Sequence, residues 1–163
     1  MKRVLYFCKI FSPCPFIFYL LTSCNDGANN KADSDVETVQ PFRKGVITIT
    51  GGDTLTGKLV MKDDSGHAAH NFNADHGQTI KWIVHPHSNV KEIIAIPQKD
   101  TSDNNNIFSE LPTADGNSQN WKATIDTGAY DLHEWYNIIW KDTSGKTRTY
   151  DPFIQVNPRP FIP

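Results

Sequence analysis

The chain has 163 residues, 38% of them hydrophobic, with 16 basic and 18 acidic side chains and a formal charge of −2. That length accommodates one domain with its own core and is too short for two sizeable ones. With no basic stripe, no GxxxxGK[ST] loop and no RNA-binding aromatic signature in the sequence, nucleic acid is excluded as a partner.

The N-terminus reads MKRVLYFCKIFSPCPFIFYLLTSC. Lys2, Arg3 and Lys9 precede an apolar run from Ile10 to Leu21, and the small residues Thr22 and Ser23 follow it. This is the layout of a secretory signal peptide over residues 1–23. The uncharged run falls short of the roughly 20 residues that span a bilayer, and Pro13 and Pro15 interrupt it. Leu21-Thr22-Ser23-Cys24 resembles the lipobox of bacterial lipoproteins. The resemblance implies cleavage before Cys24, lipidation of that cysteine, and a membrane anchor in the bacterial cell envelope, with the outer membrane as the expected location. Several acyl chains would make such an anchor stable, since each buried methylene contributes about 0.8 kcal/mol. The only cysteines are Cys8, Cys14 and Cys24. A chain processed at Cys24 therefore has no free thiol and no internal disulfide, and its folded part depends on burial alone. Its charge is 13 minus 18, or −5, because the signal carries three basic residues and no acidic ones.

Residues 24–44, CNDGANNKADSDVETVQPFRK, are rich in Asn, Asp, Ser and Ala and nearly free of large apolar groups until Phe42. Such a segment cannot bury enough surface to offset its ordering entropy, which predicts a disordered tether leading away from the lipidated Cys24. Its root-mean-square reach is roughly 25 Å, from about 5–6 Å times the square root of its length.

From Gly45 the dominant period is two, the signature of strands. GVITIT alternates Ile47 and Ile49 with Thr48 and Thr50, and LTGKLVMK sets Leu55, Leu59 and Met61 on one face. TIKWIVH places Ile80, Trp82 and Val84 together, VKEIIAI adds a strand with less distinct faces, and WKATID groups Trp121, Ala123 and Ile125. EWYNIIWK offers Tyr136, Ile138 and Trp140; after the turn DTSGK, a last strand near RTYDPFIQV carries Tyr150, Ile154 and Val156. Six or seven strands separated by Gly, Asn, Asp and Pro clusters predict an all-β domain over residues 45–158, a single antiparallel β-sandwich with a small barrel as nearest competitor. A Pro-rich tail follows at 159–163. The irregular stretch at 97–120 is expected to cross between sheets or cap one end, with room for a helical turn at IFSEL.

The segment WYNIIWKDTSGKTRTYDPFIQV, with TIKW upstream, is similar to immunoglobulin-like and cupredoxin-like sandwich domains of small secreted lipoproteins of unknown function. The resemblance implies that fold over roughly Gly45 to Pro158, and Asp126-Thr127-Gly128-Ala129-Tyr130 matches the spelling of a tyrosine corner. A blue-copper centre needs a thiolate, two imidazoles and usually a thioether. The processed domain has no Cys and only Met61, so a cupredoxin-like fold here is copper-less.

Five of the six histidines, His67, His70, His76, His85 and His87, lie between residues 66 and 87. His85 and His87 share a face if the chain is extended, and three imidazoles with Asp75 or Asp64 would suit Zn²⁺ or Cu²⁺. Against a metal site, Pro86 marks a strand end or edge, where solvated histidines need no ligand. His133 to Asn137 falls one histidine short of HExxH and reads as a strand, and neither GxSxG nor a nucleophilic Cys is present, so no hydrolase signature emerges. Asp100, Asp103 and Asn104 to Asn106 offer oxygen ligands for Ca²⁺ without the DxDxDG spacing of a known loop. The alternation that buries Tyr136, Ile138 and Trp140 turns Trp135 outward, as a platform for a sugar ring or protein partner or as filler beneath a neighbouring loop. Two functions from different classes are therefore carried forward. One is a non-enzymatic binding or accessory module with an envelope protein or glycan as partner; the other is a histidine-based Zn²⁺ or Cu²⁺ lipoprotein.

Overall fold

Eleven strands and no helix make up residues 45–160, the part of the chain that the computed structural model describes. The expected signal peptide, Cys24 and the tether at 24–44 lie outside the described residues, as do residues 161–163 of the tail. The strands are β1 (Val46–Gly52), β2 (Leu59–Lys62), β3 (Asn71–Ala74), β4 (Thr79–Val84), β5 (Val90–Ala95), β6 (Phe108–Asp115), β7 (Asn117–Ile125), β8 (His133–Trp135), β9 (Ile138–Asp142), β10 (Thr147–Tyr150) and β11 (Phe153–Val156).

One layer is a five-stranded sheet in the order β2-β1-β4-β7-β6. The other consists of two three-stranded sheets, β10-β9-β5 and β3-β11-β8, joined by the chain itself. β8 runs on into β9, and β10 into β11, so residues 133–156 form one long hairpin with a break in each arm. Across the break the Tyr136 amide donates to the Pro152 carbonyl (3.3 Å) and the Asn137 amide to that of Pro97 (2.9 Å). Pro152 has no N–H to give to a ladder, which explains why the arm expected as a single strand near RTYDPFIQV divides at that point.

The all-β sandwich read from the alternation is the fold that forms, and its inward residues are those the period selects. Ile47, Ile49, Ile80, Trp82, Val84, Ala123 and Ile125 line the five-stranded sheet, and Tyr136, Ile138, Trp140, Ile154 and Val156 face them. Each large apolar side chain buried in this way contributes about 1.5–3 kcal/mol. The layers also meet through a polar contact: the Trp82 Nε1–H donates to the Tyr136 hydroxyl (3.2 Å), with the rings edge-on at 5.7 Å. Trp140 donates its indole N–H to the Gly57 carbonyl (3.0 Å) and packs over Gly52, where a Cβ would lie 2.4 Å from the ring.

Four details differ from the sequence expectation. Leu55 is not on the inward face of a strand but 92% exposed in the β1–β2 turn. Asp53 takes it there by accepting from the Leu55 amide (2.8 Å) and the Thr56 hydroxyl (2.6 Å), which closes an Asx turn. The segment IFSEL is no helical turn; Phe108 to Glu110 open β6, an edge strand blunted by Pro112 and by several register shifts. β3, four residues long and half asparagine, is a strand that is not among those expected from the alternation. Finally, pairing is antiparallel except for β1 with β4 and β3 with β11, which are parallel. In both parallel pairs, other strands supply the long crossover such pairing requires.

Candidate functional site

The histidines do not converge. His67, His70, His76, His85 and His87 are all exposed, and among the described residues no three His, Cys, Asp or Glu side chains are grouped to hold a metal ion. β3 belongs to one layer and β4 to the other, so the chain carries His70 and His85 to different sheets. His67 lies beside Asp63 (Nδ1 to Oδ2, 3.7 Å), and His76 stacks at 4.4 Å on Tyr130, whose other neighbour is the Arg159 guanidinium at 4.6 Å. Only His85 and His87 meet, with ring centroids 5.6 Å apart and the His87 amide donating to Nδ1 of His85 (3.3 Å).

Trp135 points outward, as its parity requires, and is half-buried. Its ring sits 4.8 Å from Phe153, which in turn lies 5.4 Å from His133, so three rings form a row across β8 and β11. The Lys99 ammonium stands 5.9 Å over Trp135 and is paired with Asp151 (3.0 Å). The row is held by the loop that leaves β5. Its backbone and Asn104 replace a neighbouring strand along β8: the Lys99 amide donates to the Trp135 carbonyl (2.9 Å), and Asn104 Oδ1 accepts from the Trp135 amide (2.8 Å). Asn104 Nδ2 donates to the carbonyls of Lys99 and Trp135, and Asn105 donates through its amide and its side chain to His133. This loop crosses from the second layer to β6 in the first, the course expected for the irregular stretch.

Behind Trp135, on the inward side of β8, is Glu134. Its parity is that of Tyr136, Ile138 and Trp140, and it is completely buried. Neither carboxylate oxygen makes a hydrogen bond of ordinary geometry, although the Ile107 and Asn106 amides and the Gln98 side chain lie near enough to favour the charged form. Burial outweighs them and pushes the Glu134 pKa above its ordinary value. Glu134 is one of the residues lining a cleft of about 300 Å³, together with Gln98, Lys99, Asp100, Thr101, Asn104 and Asn106. The Thr101 hydroxyl is likewise buried without a partner, whereas Asn106 is tied by the Gln98 amide (2.9 Å). A second, more apolar hollow of about 500 Å³ lies between the end of β5 and the β6–β7 hairpin, bounded by Ile96, Pro97, Leu111, Pro112 and Trp121.

Sequence reasoning passed over Glu134, treating HEWYN only as an incomplete zinc motif. The signal was present: continuing the inward set Trp140, Ile138, Tyr136 two residues back reaches a carboxylate at a core position. The loop at 98–106 was noticed for its oxygen donors, but nothing local connected it to β8. No known protein family matches the chain, and no curated protein is similar to it in sequence.

Proposed function

We propose that the chain is a lipid-anchored, non-enzymatic binding module of the bacterial cell envelope, held at the outer membrane through Cys24 and recognising a glycan on the face that carries Trp135. The observation that carries this reading is the outward row of His133, Phe153 and Trp135 beside a polar cleft lined by three amides, a hydroxyl, two acidic residues and a lysine. Aromatic faces accept the apolar face of a sugar ring, and a few fixed polar groups next to them orient its hydroxyls. The lining groups are ones that hold a ligand, and a binding role needs no nucleophile among them. The signal-like N-terminus and the lipobox resemblance support the envelope location. An envelope protein is the other class of partner for the same surface. The histidine alternative rests on the His85–His87 pair alone, and two imidazoles fall short of the three or four protein ligands of zinc sites.

The test is titration of the full-length chain, purified in detergent, with soluble peptidoglycan fragments and with capsular and lipopolysaccharide-derived oligosaccharides. Saturable binding is expected, and Trp135→Ala should weaken it at least tenfold, since a stacked aromatic contact at a site centre is worth roughly 2 kcal/mol. Binding that ignores the substitution, or none to any glycan while an envelope protein is captured through Trp135, would replace this reading with the protein-partner one.

A further inference from the structure

The outward indole of Trp135 is in contact with Phe153 from the neighbouring strand and with Lys99 from the loop after β5. The Lys99 ammonium stands 5.9 Å over the ring centroid and is held 3.0 Å from a carboxylate oxygen of Asp151, which lies between β10 and β11. The ion pair therefore bridges the loop and the hairpin. A group stacked on an indole lies at about 4 Å, and a second layer above it at roughly twice that height. An ammonium at 5.9 Å falls between the two, so a sugar ring and the head of Lys99 cannot share that face. The two ends of Lys99 are held differently. Its amide donates to the Trp135 carbonyl (2.9 Å), and its own carbonyl accepts from the Thr101 amide (3.0 Å) and from Asn104 Nδ2. At the other end, the Lys99 side chain is 37% exposed and that of Asp151 56%. Exposed ion pairs and cation–π contacts are weak, and salt screens the former. The side chain can leave while the backbone of the loop stays in place.

From this arrangement we infer that the Lys99 side chain is a displaceable cover on the Trp135 ring, anchored by Asp151 and lifted when a ligand stacks there. The inference rests on the reading of this face as a binding surface, and it adds how that surface is controlled. With no ligand bound, the cover keeps an outward indole from indiscriminate apolar contacts. It also sets a threshold, because a partner that only touches the ring must displace the ion pair without compensation. A sugar whose hydroxyls reach the polar cleft beside the ring replaces what is lost. Ionic strength becomes a control on the site, since screening loosens Lys99 from Asp151 and leaves the aromatic row untouched.

Acrylamide quenching of Trp135 fluorescence in the full-length chain, purified in detergent, tests the cover without any glycan. The chain has four tryptophans, and Trp135→Phe gives the background of the others. Lys99→Ala removes the cover and keeps the backbone bonds of the loop. The quenching constant of Trp135 should rise in that variant and in Asp151→Asn. In the wild type it should also rise with added NaCl, and in Lys99→Ala it should not respond to salt. The second measurement repeats the titrations with peptidoglycan fragments and envelope oligosaccharides. Lys99→Ala should bind about two- to fivefold more tightly than the wild type, the scale of one exposed ion pair. Quenching that Lys99→Ala leaves unchanged or lowers overturns the inference. So does binding that is unchanged or weakened in that variant, which would make Lys99 a bystander or a ligand-holding group. Raised quenching with no oligosaccharide bound by either chain upholds the cover and overturns the glycan reading instead.

Discussion

Glu134 and Asp142 are the two polar residues buried among the described core, on the same inward parity of one hairpin arm, and they are solved in opposite ways. Asp142 closes the hairpin turn. Its Oδ1 accepts from the Ser144 hydroxyl (2.5 Å) and the Lys146 amide (3.0 Å), and its Oδ2 from Nε and Nη2 of Arg148 (3.2 and 3.0 Å). Those partners, the Ser144 hydroxyl foremost, hold its pKa at about 2 against the opposing effect of burial. Glu134, at the other end of the arm, has the Ile107 and Asn106 amides and the Gln98 side chain near it without a hydrogen bond of ordinary geometry, and burial outweighs them and moves its pKa the other way. A carboxylate supplied with four donors by its own turn is part of the fold. One whose neighbouring donors do not offset its burial adds less to the fold.

The contrast can be broken most severely at Trp140, which lies between the two carboxyls on the same face. Trp140→Ala is expected to cost about 3–5 kcal/mol, by loss of burial and by the cavity it leaves against Gly52, read as a fall in the chemical denaturation midpoint. Asp142→Ala should follow, because it orphans the half-buried Arg148 guanidinium and the hairpin turn together. The pH dependence identifies the cause. Asp142 is lowered on folding, so its contribution is complete above its ordinary value of 3.8 and is lost as the pH falls through about 2. The melting temperature of the wild type should drop across that acid window, and that of the variant should drop less.

Glu134→Gln sharpens the comparison with the opposite sign. Glu134 is raised on folding, so its contribution is complete below 4.5 and is lost as the pH rises through the raised value. At neutral pH the variant should melt at or above the wild-type temperature, and the gap should close toward pH 4; a variant that melts well below wild type at pH 7 would make Glu134 as structural as Asp142. The smallest effect is expected at the histidines. His85→Ala/His87→Ala alters two exposed rings and should stay within about 0.5 kcal/mol of wild type in the same denaturation assay.

Much of the core was legible because alternation is a local property. In TIKWIV and YNIIW the side-chain period of two states which residues face inward before any partner strand is known, and Ile80, Trp82, Val84, Tyr136, Ile138 and Trp140 are buried accordingly. Where the local signal was weak or overridden, the reading missed. β6 is an edge strand with mostly exposed side chains, so its residues carry no alternation to read. Leu55 kept the right parity, but the Asp53 turn removed its strand. Trp135 was correctly turned outward, yet its support by Phe153 comes from a strand eighteen residues away.

The sequence alone determined the all-β class, the inward set of the long strands and the tight KDTSGK hairpin, because each depends on neighbours within a few residues. The tertiary structure decided which strands pair, and made two of those pairs parallel. It also dispersed histidines that are close in sequence, by sending β3 and β4 to different layers. It brought the 98–106 loop along β8 and over Glu134, a contact between segments some thirty residues apart that no local pattern encodes. Burial and pairing depend on the whole chain, so the environment of a carboxylate, and with it the candidate site, exists only once the layers have closed.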